Sequence, residues 1–135
     1  MKTGTFIYWD GTKSEDFTPE KKLKGVAVVG DDNHAFLVLP KDVKNVDWWE
    51  GKRECEEQFA QMPNLRQLEA IYKNKEVLNK AFIAAGGEAL DDKAYYWSSI
   101  EYTNLIAWIL RMSDGYRDWY YKFSYYGYVR PVLAF

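Results

Sequence analysis

The sequence predicts an α+β fold in which antiparallel sheets are combined with two helices. Short apolar runs typical of strands lie at both ends of the chain, and two segments with helical spacing lie between them. Strands followed by helices and then by strands again is an order typical of α+β proteins. The 135 residues suffice for one hydrophobic core, so a single domain spanning residues 1–135 is expected.

The first strands are predicted before residue 40. Residues 5–8 form an apolar run that ends at the turn formers Asp10 and Gly11. Residues 26–29 and 35–39 are also apolar, and residues 30–33 between them are the turn formers Gly-Asp-Asp-Asn. Two apolar runs joined by such a loop predict a β-hairpin.

The first helix is predicted to begin at Asp47, with Glu50 three residues later completing a capping box. We expect this helix to continue until Pro63, which stops it. Its apolar residues fall near one face and are Trp48, Cys55, Phe59 and Met62. The single cysteine is therefore expected to be a buried structural thiol.

The second helix is predicted to begin at Asn64, where Gln67 again allows a capping box. Gly86 and Gly87 are expected to end it. Its apolar residues keep helical spacing and are Leu65, Leu68, Ile71, Tyr72, Leu78 and Phe82.

The last part of the chain returns to strands. In residues 107–112 the alternation places Trp108, Leu110 and Met112 on one face, which we expect to be the core face. The opposite face carries Ile109 and Arg111 and is expected to point to solvent or a partner. Residues 113–115, Ser-Asp-Gly, form a turn, and residues 128–133 form a last strand in which Pro131 indicates an edge or strand end.

Composition excludes several classes of function. The formal net charge is −2, which argues against nucleic-acid binding because such proteins usually carry a basic patch. No apolar run approaches the roughly 20 residues needed to span a bilayer, so membrane insertion is not expected. The N-terminus has no apolar segment of a signal peptide. One cysteine and one histidine cannot form a disulfide framework or a Cys/His zinc site.

Tyrosine is concentrated near the C-terminus. The chain holds eleven tyrosines, and six of them lie with Trp119 in residues 115–131, GYRDWYYKFSYYGYVRP. Tyr, Trp, Ser, Gly and Arg together are typical of recognition surfaces, because the rings give rigid contact area and the small polar residues adapt around them. A second interpretation stays open, in which the rings form a second hydrophobic layer or place their hydroxyls in hydrogen bonds at the rim of the core. A sugar-binding face, on which rings stack, is a sub-case of the recognition surface.

Enzymatic motifs are absent. The sequence has no glycine-rich phosphate loop, no GxSxG elbow and no HExxH helix. Residues 30–33 offer some oxygen ligands for calcium, but an ordinary turn is strongly favoured over a calcium site. We therefore expect no catalytic residues, no metal and no cofactor.

The C-terminal half resembles a known family. The segment YWSSIEY at residues 96–102, Ala107-Trp108, the Ser-Asp-Gly turn and YVRPV at residues 128–132 resemble the variable proteins of diversity-generating retroelements, especially those of gut Bacteroides and their phages. The upstream MPN at residues 62–64 and IYKNK at residues 71–75 resemble the helix of the same family. The resemblance is good over residues 60–135 and looser before them.

The resemblance implies a C-type-lectin-like fold of the formylglycine-generating-enzyme branch. In that family a retroelement rewrites adenines in the C-terminal coding region, here about residues 100–128, and the rewritten residues form a solvent-exposed ligand-binding surface. The resemblance therefore implies a receptor-recognition protein on a phage particle or bacterial cell surface, with a cell-surface or host protein as the ligand. The alternative is a carbohydrate-binding or adhesion module of the same fold without diversification.

Residue by residue, the resemblance implies two sets of positions. The ligand-binding set is Leu105, Ile106, Ile109, Arg111, Asp118, Trp119, Tyr120, Tyr121, Ser124, Tyr125, Tyr126 and Tyr128. The structural set includes Trp97, Glu101, Trp108 and Arg130, and we expect Arg130 and Glu101 to pair beneath the surface because a buried guanidinium needs an acceptor. Trp119 cannot arise from an asparagine codon by changes of adenine alone, and Ile100 replaces the usual threonine. The family pattern therefore does not say whether the codons of these two residues are diversified.

The sequence lacks the functional motifs of two groups of proteins with the C-type-lectin-like fold, which argues against the functions of those groups. The calcium-site motifs of sugar-binding C-type lectins, Glu-Pro-Asn or Gln-Pro-Asp with Trp-Asn-Asp, are absent. The formylglycine-generating enzymes use active-site cysteines, which the lone Cys55 cannot reproduce. Calcium-dependent sugar binding and oxidase activity are therefore both disfavoured.

Overall fold

The structure, a computed structural model, describes all 135 residues and contains ten strands and three helices. The strands are β1 (Phe6–Tyr8), β2 (Lys13–Ser14), β3 (Leu23–Val29), β4 (Ala35–Val38), β5 (Val43–Val46), β6 (Tyr95–Thr103), β7 (Ile106–Arg111), β8 (Arg117–Tyr121), β9 (Gly127–Val129) and β10 (Val132–Ala134). The helices are α1 (Trp48–Glu57), α2 (Leu65–Lys73) and α3 (Lys75–Ala84). The predicted α+β class is confirmed.

The strands form two five-stranded sheets. The first has the order β10-β4-β3-β1-β2 and is antiparallel throughout. The second has the order β5-β9-β6-β7-β8, in which only β6 and β9 run parallel. The last strand returns to the first sheet, and β8 is left at an edge of the second.

The second sheet is covered on both faces near its centre. One face, with Tyr96 and Leu110, packs on α2 and α3 in the larger core. The other face, with Trp97 and Ile109, packs in a second core cluster with Trp48 of α1. Burying one large apolar side chain contributes about 1.5–3 kcal/mol, so β6 and β7 are held firmly from two sides. The edge strand β8 is therefore presented by a well-packed neighbour.

The predicted β3–β4 hairpin and helix starts are confirmed, with one difference in detail. The Asn64 and Gln67 side chains form both bonds of a capping box at α2. In α1 the Asp47 carboxylate accepts from the backbone N–H of Glu50 at 2.8 Å, but the Glu50 side chain points toward Arg53 instead of back to Asp47. The first helix therefore has an N-cap without the reciprocal bond.

The predicted second helix is two helices, because it breaks at Asn74. The Asn74 amide side chain donates to the carbonyl of Ala70 at 2.8 Å, and the backbone of Asn74 leaves the helical region at φ −110° and ψ 16°. Asparagine side chains compete with the helical hydrogen bonds in this way. The end of α3 agrees with the prediction, since Gly86, with a positive φ of 78°, follows the C-cap residue Ala85.

The first helix ends at Glu57, earlier than the predicted stop at Pro63. Phe59 has a φ of 58° and is 84% exposed, so its predicted place on the buried face is wrong. The backbone N–H groups of Phe59 and Ala60 donate to the carbonyls of Glu56 and Cys55, which is the Schellman pattern that normally uses glycine. Cys55 is fully buried, as expected.

The predicted last strand is also divided. Residues Gly127–Val129 belong to the second sheet and Val132–Ala134 to the first, and the chain crosses between the sheets at Arg130 and Pro131. Proline has no N–H for a ladder bond, which suits this crossing point. The prediction that Pro131 lies at a strand end is confirmed.

Candidate ligand-binding surface

The edge strand β8 divides its side chains between two surfaces, because successive residues of a strand point to opposite faces. We call them the tryptophan face, with Arg117, Trp119 and Tyr121, and the tyrosine face, with Asp118 and Tyr120. All five residues are exposed or half-buried. The predicted alternative of an additional buried aromatic layer therefore does not describe β8.

On the tryptophan face the rings lie against one another. The rings of Tyr102 and Trp119 are stacked, with centroids 5.7 Å apart and planes 16° from parallel. Tyr102 also meets Trp108 edge-on at 5.6 Å. Beside them the Arg117 guanidinium forms an ion pair with Glu69 of α2. This face therefore consists of stacked aromatic rings beside an ion pair whose two charges cancel.

On the tyrosine face, a series of contacting aromatic rings runs from the surface to the core. Tyr120 stacks on Tyr125 with centroids 4.5 Å apart and an angle of 14°. Tyr125 in turn meets Tyr95 edge-on at 6.4 Å and the buried Trp97 edge-on at 5.7 Å. Burial raises the pKa of the Tyr125 hydroxyl. The exposed Tyr120 ring is thus supported from below by packed aromatics.

A neutralised arginine lies at the end of the tyrosine face. The Arg111 guanidinium forms two hydrogen bonds with Asp114, one of them from Nε at 3.0 Å, and donates to the Tyr95 hydroxyl at 3.2 Å. These bonds to Asp114, together with that from the N–H of Tyr116, lower the pKa of this carboxyl to about 2. The pair spans the turn at Gly115, whose φ of 75° confirms the predicted turn.

Lys122 anchors the end of β8. Its side chain is fully buried, and its ammonium group pairs with Glu101 and donates to the carbonyl of Asn104 at 3.0 Å. The same group lies 4.2 Å from the ring centroid of Trp48 and 4.9 Å from that of Trp49, within the range of cation–π attraction. The hydrogen bond and ion pair with Lys122 lower the pKa of the Glu101 carboxyl.

The backbone of Lys122 makes the same connection. Its N–H donates to the carbonyl of Leu105 at 2.9 Å, and its carbonyl accepts from the N–H of Trp48 at 2.8 Å. One residue therefore joins β8, the β6–β7 turn and the start of α1.

Arg130 is the centre of a buried network at the crossing between the sheets. Its Nε donates to Asp42 at 2.8 Å, and its other nitrogens donate to the carbonyls of Leu39 and Glu88. The guanidinium carbon lies 4.5 Å from the ring centroid of Phe82. All three donor groups have acceptors, as a fully buried guanidinium requires.

The predicted pair of Arg130 and Glu101 is wrong. Arg130 is paired with Asp42, whose side chain is almost completely buried, whereas Glu101 is paired with Lys122. The reason is topological: Arg130 lies where the chain enters the first sheet, and Glu101 lies beyond a bulge in β6, next to α1.

The structure gives three kinds of environment to the predicted ligand-binding residues. Those that are exposed are Leu105, Trp119, Tyr120, Tyr121, Ser124 and Tyr126, and those that are half-buried are Ile106, Arg111, Asp118, Tyr125 and Tyr128. Ile109 is fully buried and cannot contact a ligand at the surface. Its place in this set is corrected, because α1 and β5 cover the face that alternation assigned to solvent.

Two further positions need correction. Tyr128 packs edge-on against Tyr96 at 5.8 Å and lies against the larger core, away from β8. Trp108 shares a face with Leu110 and Met112 as predicted, but it is only half-buried and contacts the exposed Tyr102. Trp97 is fully buried in the second core cluster.

Residue-based reasoning missed Tyr95, Tyr102 and Lys122. Tyr95 and Tyr102 lie in β6 and reach the two faces only through the pairing of strands, which the local pattern does not give. Lys122 lies among exposed tyrosines, where a lysine is normally solvated.

A cleft elsewhere is less suited to recognition. It has a volume of about 540 Å³ and lies between the β3–β4 loop and α2. Ion pairs border it, including Arg66 with Asp32 at 2.6 Å and Lys73 with Asp31 at 3.4 Å. Because its charged groups already have partners within the chain, we place the candidate site at β8.

Comparison with known proteins leaves the family open. No protein-family model matches the chain, and no curated protein is significantly similar to it.

None of the three helices combines the length and apolar character needed to cross a membrane. No three His, Cys, Asp or Glu residues are grouped so that they could hold a metal ion.

Proposed function

We propose that this protein binds ligands through the two faces of β8, displayed on a C-type-lectin-like frame of the kind used by the variable proteins of diversity-generating retroelements. The observation that carries the proposal is the exposure of Trp119, Tyr120 and Tyr121, which are 41%, 40% and 50% exposed on an edge strand. Rigid exposed rings of this kind supply contact area at low entropic cost.

The support beneath the surface favours the same function. Arg130 and Lys122 are fully buried and hydrogen-bonded, and both anchor the chain without using the exposed rings of β8. A frame that keeps its contacts when surface residues change is what a diversified protein needs. The rings at residues 119–121 are in this account one selected solution among many.

We propose binding without catalysis. Burial raises the pKa of the Cys55 thiol to about 12, because the residue is fully buried in the second core cluster. Such a thiol cannot supply the thiolate that cysteine-based oxidases need. The partner in this proposal is a protein on a cell or host surface, and the protein itself belongs to a phage particle or bacterial cell surface.

A carbohydrate-binding or adhesion module of the same fold is the second candidate. The exposed Tyr102–Trp119 stack favours it, because aromatic side chains are common platforms for the apolar faces of sugars. A glycan array tests this candidate, and a template repeat with a reverse transcriptase gene beside the coding sequence would favour diversification.

Panning a phage-displayed random-peptide library tests the first candidate. The baits are the wild-type protein and a surface variant with L105T, I106T, R111T, D118T, Y120T and Y121T, in which threonine keeps strand propensity. We expect sequenced peptides that bind the wild type and lose binding to the surface variant, while circular dichroism shows both baits folded.

A Lys41→Met protein is the matched control bait, because Lys41 is exposed and lies outside the second sheet. It should retain the selected peptides. Peptides that bind the folded surface variant as well as they bind the wild type would contradict the proposed function.

A further inference from the structure

The charges around β8 leave one acidic group without a partner. Residues 106–121 contain four charged side chains. Arg111 is paired with Asp114, and Arg117 is paired with Glu69 of α2. Asp118 is in no ion pair, although it lies in the same strand as Arg117. The tyrosine face therefore carries an uncompensated negative charge.

The Asp118 carboxylate is held in place and open on one side. Its Oδ1 accepts from the backbone N–H of Trp119 at 2.8 Å, which leaves Oδ2 free. Its side chain shares a face with Tyr120, whose ring stacks on Tyr125 and which is 40% exposed. Asp118 is close enough to Tyr125 that its charge contributes to the raised pKa of that hydroxyl.

We infer that the tyrosine face binds an arginine side chain of a polypeptide partner at the Asp118 carboxylate, beside the exposed ring of Tyr120. A carboxylate accepts hydrogen bonds from a guanidinium, and the electron-rich face of an aromatic ring attracts its charge. Arginine fits better than lysine because its planar guanidinium both stacks and donates in a fork. This inference rests on the proposed function and names the chemistry of its ligand.

The cations of this face do not compete with an incoming arginine. Arg111 is neutralised by two hydrogen bonds to Asp114, and Lys122 is buried and paired with Glu101. An anionic partner would find no free basic group on residues 106–121, whereas a cationic partner finds Asp118. Within residues 106–121, charge complementarity therefore favours a basic ligand.

The inference is tested by an NMR titration of ¹⁵N-labelled protein with a hexa-arginine peptide. Hexa-citrulline is the matched probe, because citrulline keeps the shape of arginine and lacks its charge. We expect hexa-arginine to give saturable shifts at the amides of Asp118, Tyr120 and Tyr125, and hexa-citrulline to give none.

Asp118→Asn keeps an oxygen that accepts from the N–H of Trp119, removes the charge and replaces the free acceptor Oδ2 by an amide donor. We expect it to weaken hexa-arginine binding about fivefold, as for an exposed ion pair. Asp16→Asn is the control, since Asp16 is an exposed aspartate far along the chain in the β2–β3 loop, and it should leave the affinity unchanged.

Equal affinity for wild-type and Asp118→Asn protein would overturn the inference, as would shifts confined to residues outside β8. Neither result affects the peptide panning, which decides separately whether the β8 surface binds polypeptides. Panned peptides that bind β8 without enrichment in arginine would also overturn the inference and leave the proposed function standing.

Discussion

Replacing Arg130 by methionine should destabilise the protein severely, because it leaves a buried carboxylate without its cation. The Arg130 and Asp42 side chains are 0% and 2% exposed, and the carbonyls of Leu39 and Glu88 lose their donors as well. Removing one partner of a buried ion pair costs about 3–5 kcal/mol. Methionine retains part of the apolar stem, so the loss reports mainly on the charge.

This cost translates into a large change of the melting temperature. Unfolding entropy is about 2.1 cal/mol/K per residue, or about 0.28 kcal/mol/K for 135 residues. A loss of about 3–5 kcal/mol therefore corresponds to a drop of about 10–18 °C. Circular dichroism during heating measures the drop, and urea unfolding gives the free energy.

A double-mutant cycle identifies the partner of Arg130. Asp42→Asn combined with Arg130→Met should show a coupling energy of about 2 kcal/mol or more, because the two side chains are hydrogen-bonded. Glu101→Gln combined with Arg130→Met should be additive within about 0.5 kcal/mol, since Glu101 is paired with Lys122.

The pH dependence of the variant adds an independent check. Burial already raises the pKa of Asp42, and Arg130 and the Tyr96 hydroxyl oppose that rise. Without Arg130 the folded-state pKa rises further above its unfolded value, so the folded state binds the proton more tightly. The loss of stability in Arg130→Met should therefore shrink as the pH falls through the raised pKa that Asp42 has in the variant, because its carboxylate then becomes protonated in the folded state. A melting temperature within about 3 °C of wild type, or coupling to Glu101 instead of Asp42, would refute the reasoning.

Three further changes probe other parts of the frame. Lys122→Met should lower the free energy of unfolding in urea by about 1–3 kcal/mol, because methionine cannot form the ion pair and the cation–π contacts of Lys122. The exposed control Lys41→Met should leave this free energy almost unchanged. Equal losses in the two variants would contradict the anchoring role of Lys122. Phe59→Gly should stabilise the protein by roughly 0.5–1 kcal/mol, since the φ of 58° is strained for phenylalanine and no burial is lost; a loss of stability would indicate an unseen contact. Cys55 should react with a thiol reagent at pH 8 only as fast as the protein unfolds, because its pKa is raised to about 12, and rapid reaction of the native protein would count against its burial.

Local features of the fold were predictable because short-range rules determine them. Turn residues at 30–33 specify the β3–β4 hairpin, Asn64 and Gln67 specify a capping box, and Gly115 specifies a turn with positive φ. The break at Asn74 was missed, although its cause is local, because helical spacing continues across it.

Features that depend on distant parts of the chain were not predictable. The face of Ile109 is buried only because α1 and β5 return to cover it, and alternation within β7 cannot show that. The partner of Arg130 lies 88 residues away at Asp42. The aromatic composition indicated a recognition surface, but the division into two faces depends on the edge position of β8.

The melting temperature of the surface variant, measured beside that of Arg130→Met, tests the central claim most directly. Six residues on and beside β8 are exchanged in the first protein, and a single buried residue in the second. The account predicts that the six surface changes together lower the melting temperature less than the one buried change. A surface variant that melts below Arg130→Met, or fails to fold, would show that the exposed residues hold the structure together.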